Sequence, residues 1–544
     1  MFRNKSVDVH QFAMVPKAEI PRSSFQVEKT HKTTFDGGYL VPVYLDEVLP
    51  GDSHSLKMTA FARLSTPLFP IMDNMHLDSF FFFVPARLVW FNWVKLMGEQ
   101  INPGDSISYV VPQQVSPAGG YAIGSLQDYF GLPTVGQVGG GNTVSHNALP
   151  LRAYNMIFRE WFRDENLQNS PVVDTGDGPD TISNYVLLRR GKRADYFTSA
   201  LPWPQKGGTA VTLPLGTSAP VKTQSARTVT GAQVALQLAG TTAGAFTATN
   251  DNVALQAGGN AYRTASAGGA LTETIYPANL YADLSAATAA TINQLRQSFQ
   301  IQRLLERDAR SGTRYTELVR AHFGVVSPDA RLQRPEYLGG GSTPVNVNPI
   351  AQTSATGLTG GSAPLGTLGS MATALAQGHG FSQSFTEHGY VIGLVSVRAD
   401  LTYQQGLRKL WSRSTRYDFY FPVFAALGEQ AVLNREIYCD GSANDANVFG
   451  YQERWAEYRY DPSMITGLFR STAAGTLDAW HLAQKFTTLP TLNATFIQET
   501  PPIDRIVAVG AGANGKQFIF DSFFSVRKAR AMPLYSVPGL IDHF

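Results

Sequence analysis

From residue 56 the chain alternates, and Leu56, Met58, Ala60, Ala62 and Leu64 fall on one side of a strand with a period of two. A turn-like segment at Pro67 and Pro70 precedes MHLDSFFFFVP, residues 75–85. Four consecutive phenylalanines leave this strand no polar face, which predicts a partner layer on both sides. A sandwich core is the reading of those rings; an aromatic ligand box is the alternative. Residues 150–167 change period: Leu151, Tyr154, Phe158, Trp161 and Phe162 form one apolar helical stripe. A second helix is predicted over 288–311, with Ile292, Leu295 and Phe299 on its face and Gly312 as its stop. A third, over 313–323, ends before Gly324. Strand patterns return at 389–403, 417–421, 503–509 and 517–527.

Three stretches break these periods. Residues 1–35 are polar and interrupted by Pro16 and Pro21, which predicts an extended N-terminal arm needing a neighbour to lie on. Residues 207–270 are mostly Ala, Thr, Gly and Val, with some alternation in VALQL at 234–238, and predict a small strand-bearing surface excursion. Residues 338–380 are rich in Gly, Ser, Thr and Pro and read as a long loop. The triple glycines at 139–141 and 339–341 read as flexible punctuation. Strand-rich ends around helices and insertions predict a mainly β protein: one domain over 36–544, an antiparallel sandwich with large inserted loops and a few helices.

Composition sharpens this picture. Charged residues are 16% of the chain, against about 25% in typical soluble domains; so thinly charged a surface implies coverage by neighbouring subunits. With 50 glycines, 32 phenylalanines and 22 tyrosines the chain favours strands and elaborate loops over helix bundles. Lys and Arg total 44 against 42 for Asp and Glu, a net charge of +2, without the strong basic excess of a lone nucleic-acid binder. Cys439 is the single cysteine, so no intrachain disulfide forms, which suits a reducing cytoplasm. The opening MFRNKSVDVHQF lacks a signal-peptide core, and no apolar run approaches the roughly 18 residues of a membrane span.

No motif for catalysis, metal or cofactor survives its context. GAGANGKQ at 510–517 satisfies GxGxxG and part of a phosphate loop. Gln517 stands where a Ser or Thr should bind magnesium, and the alternation of Phe518, Phe520, Ser522 and Phe524 follows, so a Gly-rich hairpin turn is the reading. Three basic clusters carry more. YVLLRRGKRADYF (185–197) brings Arg189, Arg190, Lys192 and Arg193 beside Tyr185, Tyr196 and Phe197. RKLWSRSTRY occupies 408–417, and RKAR at 527–530 supplies Arg527, Lys528 and Arg530. Cations beside rings suit single-stranded nucleic acid, where stacking contributes about 1–3 kcal/mol per base. The competing reading is a subunit-contact face held by Arg–carboxylate pairs. A secreted β-sandwich lectin or adhesin, or a polysaccharide-cleaving enzyme on a β scaffold, would also explain the strands; the first lacks its secretion signal, the second a carboxylate pair.

Longer strings resemble a known family. MTAFARLSTPLFPIMDNMHLDSFFFFVPARLVW (58–90), RRGKRADYFTSALPWPQKG (189–207), LERDARSGTRYTE (305–317), HFGVVSPDARLQRPEYLGG (322–340), YQERWAEYRYDPS (451–463) and ARAMPLYSVPGL (529–540) resemble gokushovirus (Microviridae) major capsid proteins in order and spacing. The resemblance implies a non-enzymatic subunit: an eight-stranded antiparallel jelly-roll sandwich forming a T=1 icosahedral shell of sixty copies, through pentamers, around a circular single-stranded DNA genome. It implies that the variable excursion 207–270 forms protrusions at the three-fold axes, with contact to a bacterial host surface receptor as the hypothesis. The implied partners are an internal scaffolding protein, a DNA pilot protein and a small basic DNA-packaging protein, with no membrane insertion; the implied place is the virion, assembled in the host cytoplasm. Sixty copies at +2 carry only about 120 positive charges, so counterions or another basic protein must neutralise most phosphates. The DNA-facing side is expected to include Arg189, Arg190, Lys192 and Arg193, or Arg527, Lys528 and Arg530.

Overall fold

The alternation from residue 56 belongs to a strand in the middle of a five-stranded sheet. The computed structural model describes residues 21–207, 292–311, 315–324, 333–351, 353, 367–508 and 515–535, together with short strands between 221 and 282. Two sheets are built from β1 (Arg22–Phe35), β2 (Val41–Val48), β3 (Ser53–Leu64), β4 (Met75–Pro85), β5 (Glu336–Pro344), β6 (Asn346–Ala351), β7 (Leu368–Ser384), β8 (Gly389–Ala399) and β9 (Phe518–Ala531). Their orders are β1-β9-β3-β7-β6 and β5-β4-β8-β2, with every neighbouring pair antiparallel. The chain crosses between sheets from β1 to β2, from β2 to β3 and from β3 to β4, then repeats this shuttling later. This is a jelly-roll sandwich, with β6 as an additional edge strand beside β7.

The phenylalanine run explains why one sheet has two cores. Phe81 and Phe83 point into the sandwich, where they meet Phe381 and Phe385 of β7 with ring centroids 5.6 and 4.7 Å apart. Phe80 and Phe82 point the other way, against Phe162 at 5.2 Å and Trp161 at 5.5 Å. The sandwich interior gathers Leu56, Met58, Val391, Val395, Phe520 and Phe524. The opposite face of β4 and β8 is closed by helix α1 (Leu149–Ile157) and the segments around it. Tyr154 on that helix donates to the Leu40 carbonyl at 2.9 Å and accepts from the Leu188 N–H. Arg152, fully buried, is held by both Asp180 oxygens at 2.8 and 2.5 Å and by the carbonyls of Val89 and Gly176.

Several expectations change. The helix predicted to 167 stops earlier: after Ile157 the turns widen, Arg163 N–H reaching back to Phe158, and Arg163 is extended. The loop expected over 338–380 contains β5, β6 and the start of β7; its residues 354–366 lie outside the described residues. The triple glycine 339–341 lies within β5 and serves close approach. A Cβ at Gly340 would stand 2.0 Å from the Ser79 carbonyl, and one at Gly339 2.4 Å from that of Gly380. Composition misled here because glycine in a strand marks contact as well as mobility. Residues 417–421 form no strand, since Tyr417, Phe419 and Phe421 have no sheet to join; Arg416–Asp418 is a short turn, as is Ile503–Arg505. Residues 22–35, part of the expected arm, pair with β9 along their whole length. The glycine-rich turn 510–517 lies largely outside the described residues, as does Gly312.

Two further helices are α2 (Ile292–Ser311) and α3 (Tyr315–Phe323), the latter ending at Gly324 with φ +70°. Contacts divide the chain into two compact units, Met1–Lys206 with Asp308–Phe544, and Gly207–Arg307. The second carries short antiparallel strands: Val221–Thr223 with Leu280–Ala282, and a four-stranded sheet including Asn252–Leu255, Ala261–Thr264 and Glu273–Pro277. Most of VALQL lies outside the described residues.

Candidate nucleic-acid interface

The cluster at 189–193 runs along the edge where the sandwich meets the segment 496–499. The Arg189 guanidinium lies 3.9 Å from the Tyr39 ring centroid and donates to the carbonyls of Gly37 and Glu499. Arg190 is paired with Asp78 at 2.6 Å, and Asp78 also takes Arg398 at 2.9 Å. Burial pushes the Asp78 carboxyl up, but hydrogen bonds from Ser342 and Arg190, with both arginine charges, hold it below the usual range. The Lys192 ammonium sits 4.5 Å over the Phe496 ring, and burial lowers its pKa against the pull of Glu499 and Asp195. Burial likewise raises the Glu499 pKa. Arg189, Arg190 and Lys192 are half-buried, whereas Arg193 is exposed, its side chain 62% accessible and 3.6 Å from Asp400.

The C-terminal cluster is divided by the period of β9. Phe518, Phe520, Ser522, Phe524 and Val526 face the interior, so Lys528 and Arg530 continue on that side. There Lys528 pairs with Asp46, while Arg530 pairs with Asp52 at 2.9 Å and donates to the Glu47 carbonyl. His54 lies between those carboxylates, 3.8 Å from Asp46 and 3.3 Å from Asp52, with its pKa lowered by burial. Arg527 falls on the opposite, open face and donates to Ser24 Oγ at 3.1 Å. That division was legible in the sequence, because the alternation through 518–524 extends to 530.

The third cluster is paired throughout most of its length. Arg408 meets Asp461, Lys409 meets Glu436 at 3.6 Å, and Arg413 meets Glu457 at 3.2 Å while its guanidinium lies 4.3 Å from the Tyr458 ring. These groups line a cavity of about 260 Å³ with Tyr196, Phe197 and Tyr403. The aromatic residues beside them stay uncovered: Trp411 is 73% exposed, and Tyr417 and Phe419 are exposed as well. At the rejected phosphate loop, Lys516 pairs with Asp36 at 2.7 Å, and Gln517 accepts from Gly37 N–H and donates to Asp504.

The structure also exposes cations that clustering in sequence did not single out. Lys57 and Arg63 stand on the outward side of β3, separated by other residues and therefore invisible as a run. Among the described residues no group of three His, Cys, Asp or Glu is arranged to hold a metal ion, and no helix is long and apolar enough to cross a membrane.

The capsid protein (F protein) family matches residues 13–540. Capsid protein VP1 of Bdellovibrio phage phiMH2K is 47% identical over 538 residues, and that of Chlamydia phage 1 is 46% identical over 599. Capsid protein VP1 of Spiroplasma virus 4 is 36% identical over 566 residues; in all three, 98% of each chain is covered.

Proposed function

The chain belongs to the phage capsid protein (F protein) family and is a major capsid protein, a structural, non-enzymatic subunit of a multimeric shell; from that premise we propose that sixty copies, joined through pentamers, build a T=1 icosahedral virion around circular single-stranded DNA. The observation that carries the reading is a jelly-roll protomer that leaves apolar side chains uncovered. Between 410 and 427, Trp411 is 73% exposed and Val423 82%, with Leu410 and Leu427 beside them. Exposed apolar surface of this kind marks a contact site, and in a shell the next copy covers it. The neighbouring cations already hold carboxylates of their own chain, which favours a second copy over a nucleic acid at this patch.

Assembly takes place in the host cytoplasm with an internal scaffolding protein, a DNA pilot protein and a small basic packaging protein. The excursion 207–270 forms the three-fold protrusions and contacts the host receptor. Of the seven cations expected at DNA, Arg193 and Arg527 are the phosphate contacts; Arg189, Arg190, Lys192, Lys528 and Arg530 hold the protomer together. Sedimentation and electron microscopy of the purified full chain test the shell: closed particles are expected, and a persistent monomer refutes it. Particles lacking 212–268 should form and adsorb poorly; normal adsorption removes the attachment role.

A further inference from the structure

Arg190, Lys528 and Arg530 already hold carboxylates of their own protomer, so cations on open faces are the ones left for a polyanion. The outward side of the five-stranded sheet is one. Along β3 it presents Ser55, Lys57, Thr59, Phe61 and Arg63, and along β9 Arg527, Ser525, Phe523, Asp521 and Ile519, opposite one another in register. Phe61 is 46% exposed, Phe523 39% and Ile519 55%. A soluble sheet face that nothing covers ordinarily carries polar residues. Here two phenyl rings sit on a cross-strand diagonal, a separation of about 7–8 Å.

Cations bracket those rings. Arg63 lies opposite Ile519 at one end; Lys57 and Arg527 lie beyond Phe523 at the other. Lys57 to Arg63 spans six residues of strand, about 20 Å. Neither has a carboxylate partner among the described residues, and Arg527 meets only Ser24 Oγ. Asp521, between the rings, is neutralised by Lys32 at 2.5 Å, leaving Glu28 beside Ser525 as the remaining carboxylate of this face. Past Arg527 the face opens into a cleft of about 580 Å³ lined by Ser24, Ser53, Ser55, Ser382 and Ser384. Hydroxyl donors and a guanidinium around one cleft are phosphate-binding chemistry.

We infer that this open sheet face binds a short run of single-stranded DNA, its bases on Phe61 and Phe523 and its phosphates on Arg63, Lys57, Arg527 and the serine-lined cleft. Stacking on an aromatic ring tolerates any base, because every base has a π-face, as a shell protein contacting a whole genome requires. An apolar protein surface would cover the rings but would leave the cations on both flanks buried and unpaired, which is costly. The inference rests on the proposal that the enclosed genome is single-stranded.

The test measures binding of fluorescent oligo(dT) to the unassembled full-length chain across a salt series. Phe61→Ala/Phe523→Ala should weaken binding about 30-fold or more, from the low end of stacking on two rings, with the salt slope unchanged. Lys57→Ser/Arg63→Ser should weaken binding and flatten the slope by about 1.4, at roughly 0.7 per phosphate contact. Phe61→Tyr/Phe523→Tyr, which keeps a stacking face on each strand, should bind like the wild type. If the wild type binds oligo(dT) and both double variants match it within twofold, the sheet-face site is wrong while the single-stranded genome stands. If the wild type binds duplex and ignores oligo(dT), the single-stranded reading itself falls, and this site with it. Unchanged oligo(dT) binding together with loss of a co-sedimenting phage protein would assign the face to that protein and overturn the inference.

Discussion

Arg152→Met tests whether the layer behind β4 and β8 is clamped electrostatically. Arg152 is fully buried, its guanidinium gripping Asp180 through two bonds of 2.8 and 2.5 Å and two carbonyls besides. Tyr185 donates to the same carboxylate. Methionine fills much of the volume but leaves Asp180 buried with its charge opposed only by the Tyr185 hydroxyl. Breaking a buried pair from one side costs about 3–5 kcal/mol. Unfolding entropy near 2.1 cal/mol/K per residue, over a unit of roughly 440 residues, converts each kcal/mol to about 1 °C. The melting temperature should therefore fall about 3–5 °C, read by calorimetry on unassembled chain at fixed concentration and scan rate. Adding Asp180→Asn removes the stranded charge and should recover at least half of that loss. A single variant that melts within 1 °C of wild type, or a double variant that melts lower still, refutes the reasoning.

Gly340→Ala should prevent soluble folding or cost several °C, because its methyl would meet the Ser79 carbonyl at 2.0 Å; a protein that expresses and melts normally contradicts the close approach of β5 to β4. Burial lowers the pKa of His31, His54, His146 and His379 below the ordinary 6.5. Below that value the unfolded chain binds more protons than the folded one, so stability present at neutral pH is lost as pH falls from about 6.5. The urea midpoint should drop between pH 7 and 5.5, and His54→Gln should shallow that slope. Asp73 and Glu499, whose pKa burial raises, act in the opposite sense at lower pH, just above the ordinary carboxylate range. Charge reversal separates the two kinds of cation: Arg193→Glu with Arg527→Glu should leave assembly intact and lower DNA per particle, measured by the absorbance ratio of purified shells. Arg190→Glu should instead lower the yield of folded chain, since it sets a second carboxylate against Asp78.

Local pattern was sufficient for much of this protein. Alternation from Leu56 to Leu64 and from Phe518 to Phe524 placed two central strands, and the unbroken phenylalanines of β4 required two cores. Long matching strings identified the family. The fate of the basic clusters was beyond reach of spacing, because a cation's partner is chosen in three dimensions: Arg190 finds Asp78 across 112 residues, and Arg530 finds Asp52 across 478. Glycine has the same ambiguity, free in a loop or forced by a neighbouring backbone, and only the register of β5 on β4 decided which. Lys57 and Arg63 carried no signal as a sequence cluster; they become one surface with Phe523 and Arg527 only when β3 and β9 pair. The sequence determined periods, and so strands and cores. Tertiary structure decided which charges remain free, because burial and pairing are properties of neighbours the chain brings together from far apart.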